Sequence, residues 1–286
     1  LTGSDTTSGV DAMRFSVDGG TTWTAWETFA TTKSVTLTPG YGTKTVQYQL
    51  KDKAANIATC SDTIEYEALP ITPVVTSNVP GVTNQTTVTL SGTKGTQTSV
   101  LINGVVVVAL DSATTWTATV NLGAEGTNTL TITSRNGSGK TSGSSVLTVV
   151  RDTVVPAGTI NINSGTAYTT SRTVTLNLSA TDTTSGIDKM SFSHDNSTWT
   201  TPEAYAATKP SYSLPAGDGA KTVYVKYYDK AGNVSAVYSK TIVLDTVKPT
   251  GSIKINNGDA TTTSRDVTLN LTAADSTSGV DTVRFS

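Results

Sequence analysis

The sequence predicts an all-β protein, a row of small two-sheet sandwiches. Apolar residues alternate at every second position, Thr and Val dominate the alternating stretches, and the pattern repeats along the chain. Val174, Leu176 and Leu178 face one way while Thr173, Thr175 and Asn177 face the other. Val223, Val225 and Tyr227 alternate likewise with Tyr224, Lys226 and Tyr228. A period of two is the strand period, and β-branched side chains suit a pleated surface. No stretch carries the three-and-four apolar spacing of a helix. Turn residues fall between the strands: Asp18-Gly19-Gly20, Asp195-Asn196, Gly217-Asp218-Gly219, and Asn103-Gly104, a two-residue hairpin signal. About seven short strands in some 90 residues fit a two-sheet sandwich.

The repeat sets the domain boundaries. Ala157 to Ser193 recurs without a gap as Thr250 to Ser286, an offset of 93, and its latter part opens the chain as Leu1 to Ser16, 177 residues before the third copy. Asp52-Lys53-Ala54-Ala55-Asn56 matches Asp229-Lys230-Ala231-Gly232-Asn233. Residues 1–68 are therefore read as the back of one repeat, 153–246 as a complete one and 247–286 as the front of another. Residues 69–152 form a shorter module without the SGxD and DKAxN signatures. The chain starts and stops at the same point of the repeat, so the expectation is a window onto a longer polypeptide, completed by further repeats or by a neighbouring chain.

Composition narrows the function. The 286 residues include 59 Thr and 30 Ser, a formal net charge of −2, one His and one Cys. So small a charge predicts neither nucleic acid nor an anionic membrane as partner. The longest apolar run, Val105 to Leu110, is far below the roughly 20 residues of a membrane-spanning helix. One Cys excludes a disulfide within the chain. His194 sits on a turn with no positioned nucleophile, GxSxG is absent, and an active site repeated in every module would be odd. No catalytic residue is assigned, and the expectation is that this is not an enzyme.

The series DTxxPxGxIxIN, SRxVTLxLxAxDxxSGxDxMxFSxD, a Trp, and GDGxKTVYVxYxDxAGNxS resembles the bacterial immunoglobulin-like tandem repeats of large surface and secreted proteins. The middle unit resembles small immunoglobulin-like modules of secreted carbohydrate-active proteins. This resemblance implies tandem β-sandwich modules in an elongated extracellular array that extends or presents something. The expected role is a non-catalytic spacer, the shaft of an adhesin or a surface fibre. Two alternatives stay open: carbohydrate-binding accessory modules of a secreted enzyme, and a subunit of a self-assembling extracellular filament. Expected partners are further repeats, neighbouring copies in a fibre, and glycans or another cell surface.

Candidate sites follow. The linker, the SGxD loop and the DKAGN loop gather at one end of such a sandwich. They bring together Asp152, Asp182, Asp188, Asp229 and Asn233, and at the next junction Asp245, Asp275 and Asp281. Oxygens converging from three loops suit a hard cation, and the resemblance adds that related arrays stiffen their junctions with Ca²⁺. Ala68 stands where Asp152 and Asp245 stand, so calcium is expected at the second and third junctions and not the first. Trp23 and Trp199 hold matching places and read as core plugs. Trp26, near Tyr41, reads as a surface for stacking a sugar. Cys60 aligns with Val237 and reads as buried. Pro156 and Pro249 stiffen the linkers.

Overall fold

The computed structural model describes residues 2–286. The first unit holds β1 (Val10–Ser16), β2 (Glu27–Thr28), β3 (Gly42–Asp52) and β4 (Ile57–Tyr66) in one sheet of order β2-β1-β3-β4. The middle module holds β5 (Val74–Val75), β6 (Val82–Thr83), β7 (Thr87–Thr93), β8 (Thr98–Ile102), β9 (Val105–Asp111), β10 (Thr115–Asn121), β11 (Gly126–Asn136) and β12 (Ser145–Arg151). The third holds β13 (Ala157–Ile162), β14 (Tyr168–Thr169), β15 (Thr173–Thr181), β16 (Ile187–Ser193), β17 (Glu203–Ala204), β18 (Thr208–Ser213), β19 (Gly219–Asp229) and β20 (Tyr238–Leu244). The last unit supplies β21 (Thr250–Ile255) and β22 (Leu269–Ala274).

The middle and third modules share one topology. Sheets β10-β7-β5 and β6-β12-β11-β8-β9 of the former correspond to β13-β15-β18 and β14-β20-β19-β16-β17 of the latter. In each, the first strand breaks and its second piece joins the opposite sheet, pairing in parallel with the last strand. In the third module the break falls at Asn163, Ser164 and Gly165, all with positive φ. The Asn163 side chain there accepts the Thr175 amide, and Asn177 accepts that of Ser164. The alternation read from the sequence is the core: Val174, Leu176, Val223, Val225 and Tyr227 are each at most 2% exposed and pack with Met190 and Phe192. Close sheet contact forces one glycine, because a Cβ on Gly158 would lie 2.4 Å from the Tyr227 ring. The middle core centres on Leu90, Val100, Ile132 and Trp116, whose indole donates to the Thr93 carbonyl. Asn103 and Gly104, with φ of 49° and 81°, make the predicted hairpin turn.

Three expectations need correction. Cys60 is exposed, on a strand exposed along its whole length, in a unit of which residues 2–68 form one sheet. The pairing of Gly42 with Tyr66 and of Gly219 with Leu244 also shows that the first unit is one residue shorter after its DKAxN turn. Glu67, not Ala68, therefore stands where Asp245 stands, and Cys60 matches Tyr238. Finally, Trp23 and Trp199 are half-buried on the outside of their sheets rather than in a core. Lys226 Nζ lies 4.1 Å from the Trp199 ring centroid, and the Arg14 guanidinium lies over both Trp23 and Trp26. A cation stacked on a sheet face gives a Trp a use outside the core.

Candidate metal centre at the module junction

The third module begins where three chain segments meet. Asp152 ends the β12 side of the linker, Asp182 opens the loop after β15, and Asp229 ends β19. One oxygen from each of these three carboxylates lies within 4.8 Å of the other two. Asp152 is 0% exposed and Asp229 2%. Backbone turns hold each in place. Asp182 accepts the amides of Thr184, Ser185 and Gly186 on Oδ1, which leaves Oδ2 without a hydrogen-bond donor. Asp229 closes its turn on the Asn233 amide. Asp152 accepts Val154 N on Oδ1 and Ser185 N on Oδ2, tying the linker to the loop. Burial opposes ionisation of Asp182, but the Gly186, Ser185 and Thr184 amides outweigh it and hold its carboxyl below the usual range.

One of the predicted ligands lies elsewhere, and another stands beside the cluster with its amide nitrogen engaged. Asp188 is outside the cluster, beside Lys189 Nζ at 3.2 Å. Asn233 is a clamp: its Nδ2 donates to the Asp152 carbonyl (2.8 Å), the Val154 carbonyl (3.3 Å) and Asp229 Oδ2 (2.8 Å). The position was legible in the sequence; its direction was not, because an amide can donate as readily as accept.

The donor set suits a hard cation. No Lys or Arg forms an ion pair with any of the three carboxylates among the described residues. Their mutual repulsion is on the order of 3 kcal/mol per pair at an effective dielectric of ~20. An all-oxygen set with a free carboxylate oxygen is what Ca²⁺ takes.

The third junction repeats part of this arrangement, and the first is built differently. At the third, Asp245 is 7% exposed, Asp275 accepts the amides of Thr277, Ser278 and Gly279 as Asp182 does those of its own loop, and Asp281, the match of Asp188, is exposed. At the first, the linker carboxylate of Glu67 accepts the Ser138 hydroxyl. Asp5 and Asp52 keep their turns at the far end of the first unit, remote from that linker. The middle module has the DKAxN turn after all, with Asn136 in place of Asp229 accepting the Lys140 amide. Its NGSGK sequence hid the likeness.

A second contact faces backward. Thr153, next to Asp152, donates its amide (2.5 Å) and hydroxyl (3.1 Å) to the two oxygens of Glu125. Thr246, next to Asp245, makes the same fork with Asp218 at 3.1 and 2.9 Å. Each Asp-Thr linker thus grips the module behind it through Thr, and at the second junction Asp152 grips the module ahead. The Thr153 amide, then the other contacts of Glu125, outweigh its slight burial and hold its carboxyl below the usual range. Its fork is therefore complete above about pH 4.5 and loosens as pH falls through the depressed folded value. Titrated by NMR from pH 6 to 2, the Thr153 amide should shift with a midpoint below 4.5. A midpoint at or above that value would mean the fork does not form.

Trp26 and Tyr41 do not share a surface. Trp26 lies over Arg14 and Lys51, near the end of β3, while Tyr41 precedes its start and stacks on Tyr66. A strand of that length separates them by about 30 Å. His194 is exposed on its turn as expected, yet its ring meets Tyr212 at 5.3 Å between centroids.

The fold is a tandem series of immunoglobulin-like β-sandwich modules, the class to which fibronectin III-like modules also belong. No family model and no curated protein matches the chain. Among solved structures, it is similar to fibronectin(III)-like modules of Clostridium thermocellum CbhA, at 18% identity over 60% of this chain and 93% of that one, with a TM-score of 0.36. It is also similar to a tetra-tandem repeat in the extending region of a large adhesion protein (17%, 94% and 83%, TM-score 0.35). A third likeness is to a structure concerned with host cell surface retention of a 1.5-MDa bacterial ice-binding adhesin (18%, 82% and 85%, TM-score 0.34). Likeness at this level carries no function across. No helix among the described residues is long and apolar enough to cross a membrane.

Proposed function

We propose that the chain is a non-catalytic spacer of an extracellular tandem-repeat protein, the shaft of an adhesin or a surface fibre, stiffened at its second junction by calcium. The observation that carries this reading is the linker. Residues of both neighbouring modules hold Asp152 and Thr153 by side-chain and backbone bonds, which is the opposite of a flexible tether. With modules of roughly 35–45 Å each, from strands of 8–10 residues, the product is a semi-rigid rod. Further repeats are its neighbours in the chain.

Asp152, Asp182 and Asp229 would hold the ion, which supplies positive charge where three chain segments converge. At extracellular-type affinities of about 10⁻⁴ M, 10 mM calcium stabilises the bound state by about 2.7 kcal/mol. For a module of this size that is a rise in melting midpoint on the order of 10 °C. Calorimetry of the whole chain with calcium and with chelator tests it. The third module's transition should move, and Asp152→Asn with Asp229→Asn should abolish the movement. Identical midpoints would end the calcium assignment. Small-angle scattering tests the rod separately, and a compact particle would contradict it.

A further inference from the structure

The third module carries a groove that the spacer role does not use. It has a volume of about 760 Å³ and opens on the side of the sandwich between β16 and β18. That size lies within the range of small-molecule sites. Its aromatic lining comes from Trp199, Tyr212, His194 and Phe192. The Tyr212 ring is tilted against both Phe192 (5.4 Å) and His194 (5.3 Å).

The polar groups are free in a selective way. Asp195 accepts Ser193 Oγ and the amides of Ser197 and Thr198, all on Oδ1, which leaves Oδ2 without a donor. Lys209 is neutralised by Glu203 at 2.6 Å. The groove therefore offers no free cation, and its one unpaired charge is the Asp195 carboxylate with Oδ2 open. What remains is hydroxyl chemistry: the side chains of Thr198, Ser211 and Ser213 border it with no hydrogen-bond partner among the described residues. Burial, then the charge of Glu203, pushes the Tyr212 phenol up to about 12. It shares a hydrogen bond with His194 Nε2 at 3.3 Å, which leaves Nδ1 of the ring to a ligand.

The backbone is shaped for the groove as well. The pairing of β15 with β18 is irregular between Val174 and Leu176, and Ser211 opposite has a φ of 58°. A bulge of this kind re-aims side chains, and strain in a non-glycine residue concentrates at binding sites. The first unit has the corresponding groove, at about 390 Å³, which keeps Phe15 and Trp23 at the places of Phe192 and Trp199 but has Val17 at that of His194 and Val35 at that of Tyr212. Of the two grooves, only the third module's adds the His194 and Tyr212 pair.

We infer that this groove binds a neutral pyranose unit of a polysaccharide, the ring's C–H face against half-exposed Trp199 above a floor of buried Phe192 and Tyr212, and its hydroxyls on Thr198, Ser211, Ser213, His194 and Asp195 Oδ2. Rings beside unpaired hydroxyls and a free carboxylate oxygen, with no free cation, match a neutral sugar better than an anion. The inference goes beyond the spacer reading and stands independently of it.

Isothermal titration and two-dimensional NMR of the whole chain with cellohexaose, xylohexaose, laminarihexaose and mannohexaose test it. At least one sugar should bind with a dissociation constant of about 1 mM, as expected where roughly a dozen heavy atoms make contact. Shifts should centre on residues 193–200 and 209–213. Trp199→Ala and His194→Ala should each weaken binding at least tenfold with the third module's melting midpoint unchanged, and Trp26→Ala should leave it intact. Binding by none of the four sugars, or binding unaffected by both groove variants, would overturn the inference.

Discussion

Replacing Asn233 by Asp should cost the third module about 3 kcal/mol in the presence of chelator, the largest effect expected of any isosteric change at a junction. Asn233 Nδ2 has three acceptors: two linker carbonyls and an oxygen of Asp229. Aspartate keeps the shape and removes every one of those donors. It also sets a fourth carboxylate beside a cluster in which two are almost wholly buried. Lost hydrogen bonds to a charged or part-buried acceptor cost about 1–3 kcal/mol, and the added repulsion is of similar order at an effective dielectric of ~20. Asn233→Ala, which removes donors without adding charge, should lose about half as much. Calcium should restore much of the loss in Asn233→Asp and little in Asn233→Ala, because only the former adds an oxygen to the site. Urea unfolding of the whole chain followed by hydrogen exchange at β19 and β20 reads the change in the correct module. A loss below 0.5 kcal/mol for Asn233→Asp would show that the clamp is incidental.

The sequence made some of this legible and hid the rest for identifiable reasons. Alternation placed Val174, Leu176, Val223, Val225 and Tyr227 in the core because strand period and burial are the same signal. The loop carboxylates Asp182 and Asp229 converge with Asp152 as their positions in the repeat implied. Contacts that depend on which way a side chain points were not legible. Asn233 turns its Nδ2 to the linker carbonyls, and Asp188 turns to Lys189. A matching Trp in two repeats suggested a core plug, yet Arg14 and Lys226 draw those rings to the outer face. The Glu125 and Asp218 forks needed register: each acid precedes the glycine that opens a long strand, and only the strand pairing sets it beside the linker Thr. A one-residue shortening after Asn56 likewise moved the linker acid from Ala68 to Glu67.

Removing the Asp111 carboxylate should destabilise the middle module by about 2–3 kcal/mol, and the reason bears on why calcium is expected elsewhere. Lys94 opens the same loop in the middle module that Asp182 opens in the third. Its side chain is 0% exposed, and its Nζ donates to the Thr98 carbonyl and to Asp111 Oδ1, each at 2.7 Å. Thr98 pairs with Asn136, the residue that replaces Asp229. The middle module therefore carries a covalently attached cation at the pole where the third module gathers carboxylates. Asp111→Ala leaves that ammonium buried with carbonyl partners alone, a loss set by one charge-assisted bond and kept below the 3–5 kcal/mol of a fully buried pair because Asp111 is half exposed. Asp111 is held below the usual carboxylate range by its Lys94 bond first and the Ala113 amide second. Its contribution is thus present above about pH 4 and disappears as pH falls through the lowered folded value. Calorimetry gives the joint result: the middle transition should drop in Asp111→Ala and ignore calcium, while the third responds to calcium and ignores Asp111. If calcium moves both transitions equally in the unsubstituted chain, the ammonium is not standing in for an ion, and the two poles differ for some other reason.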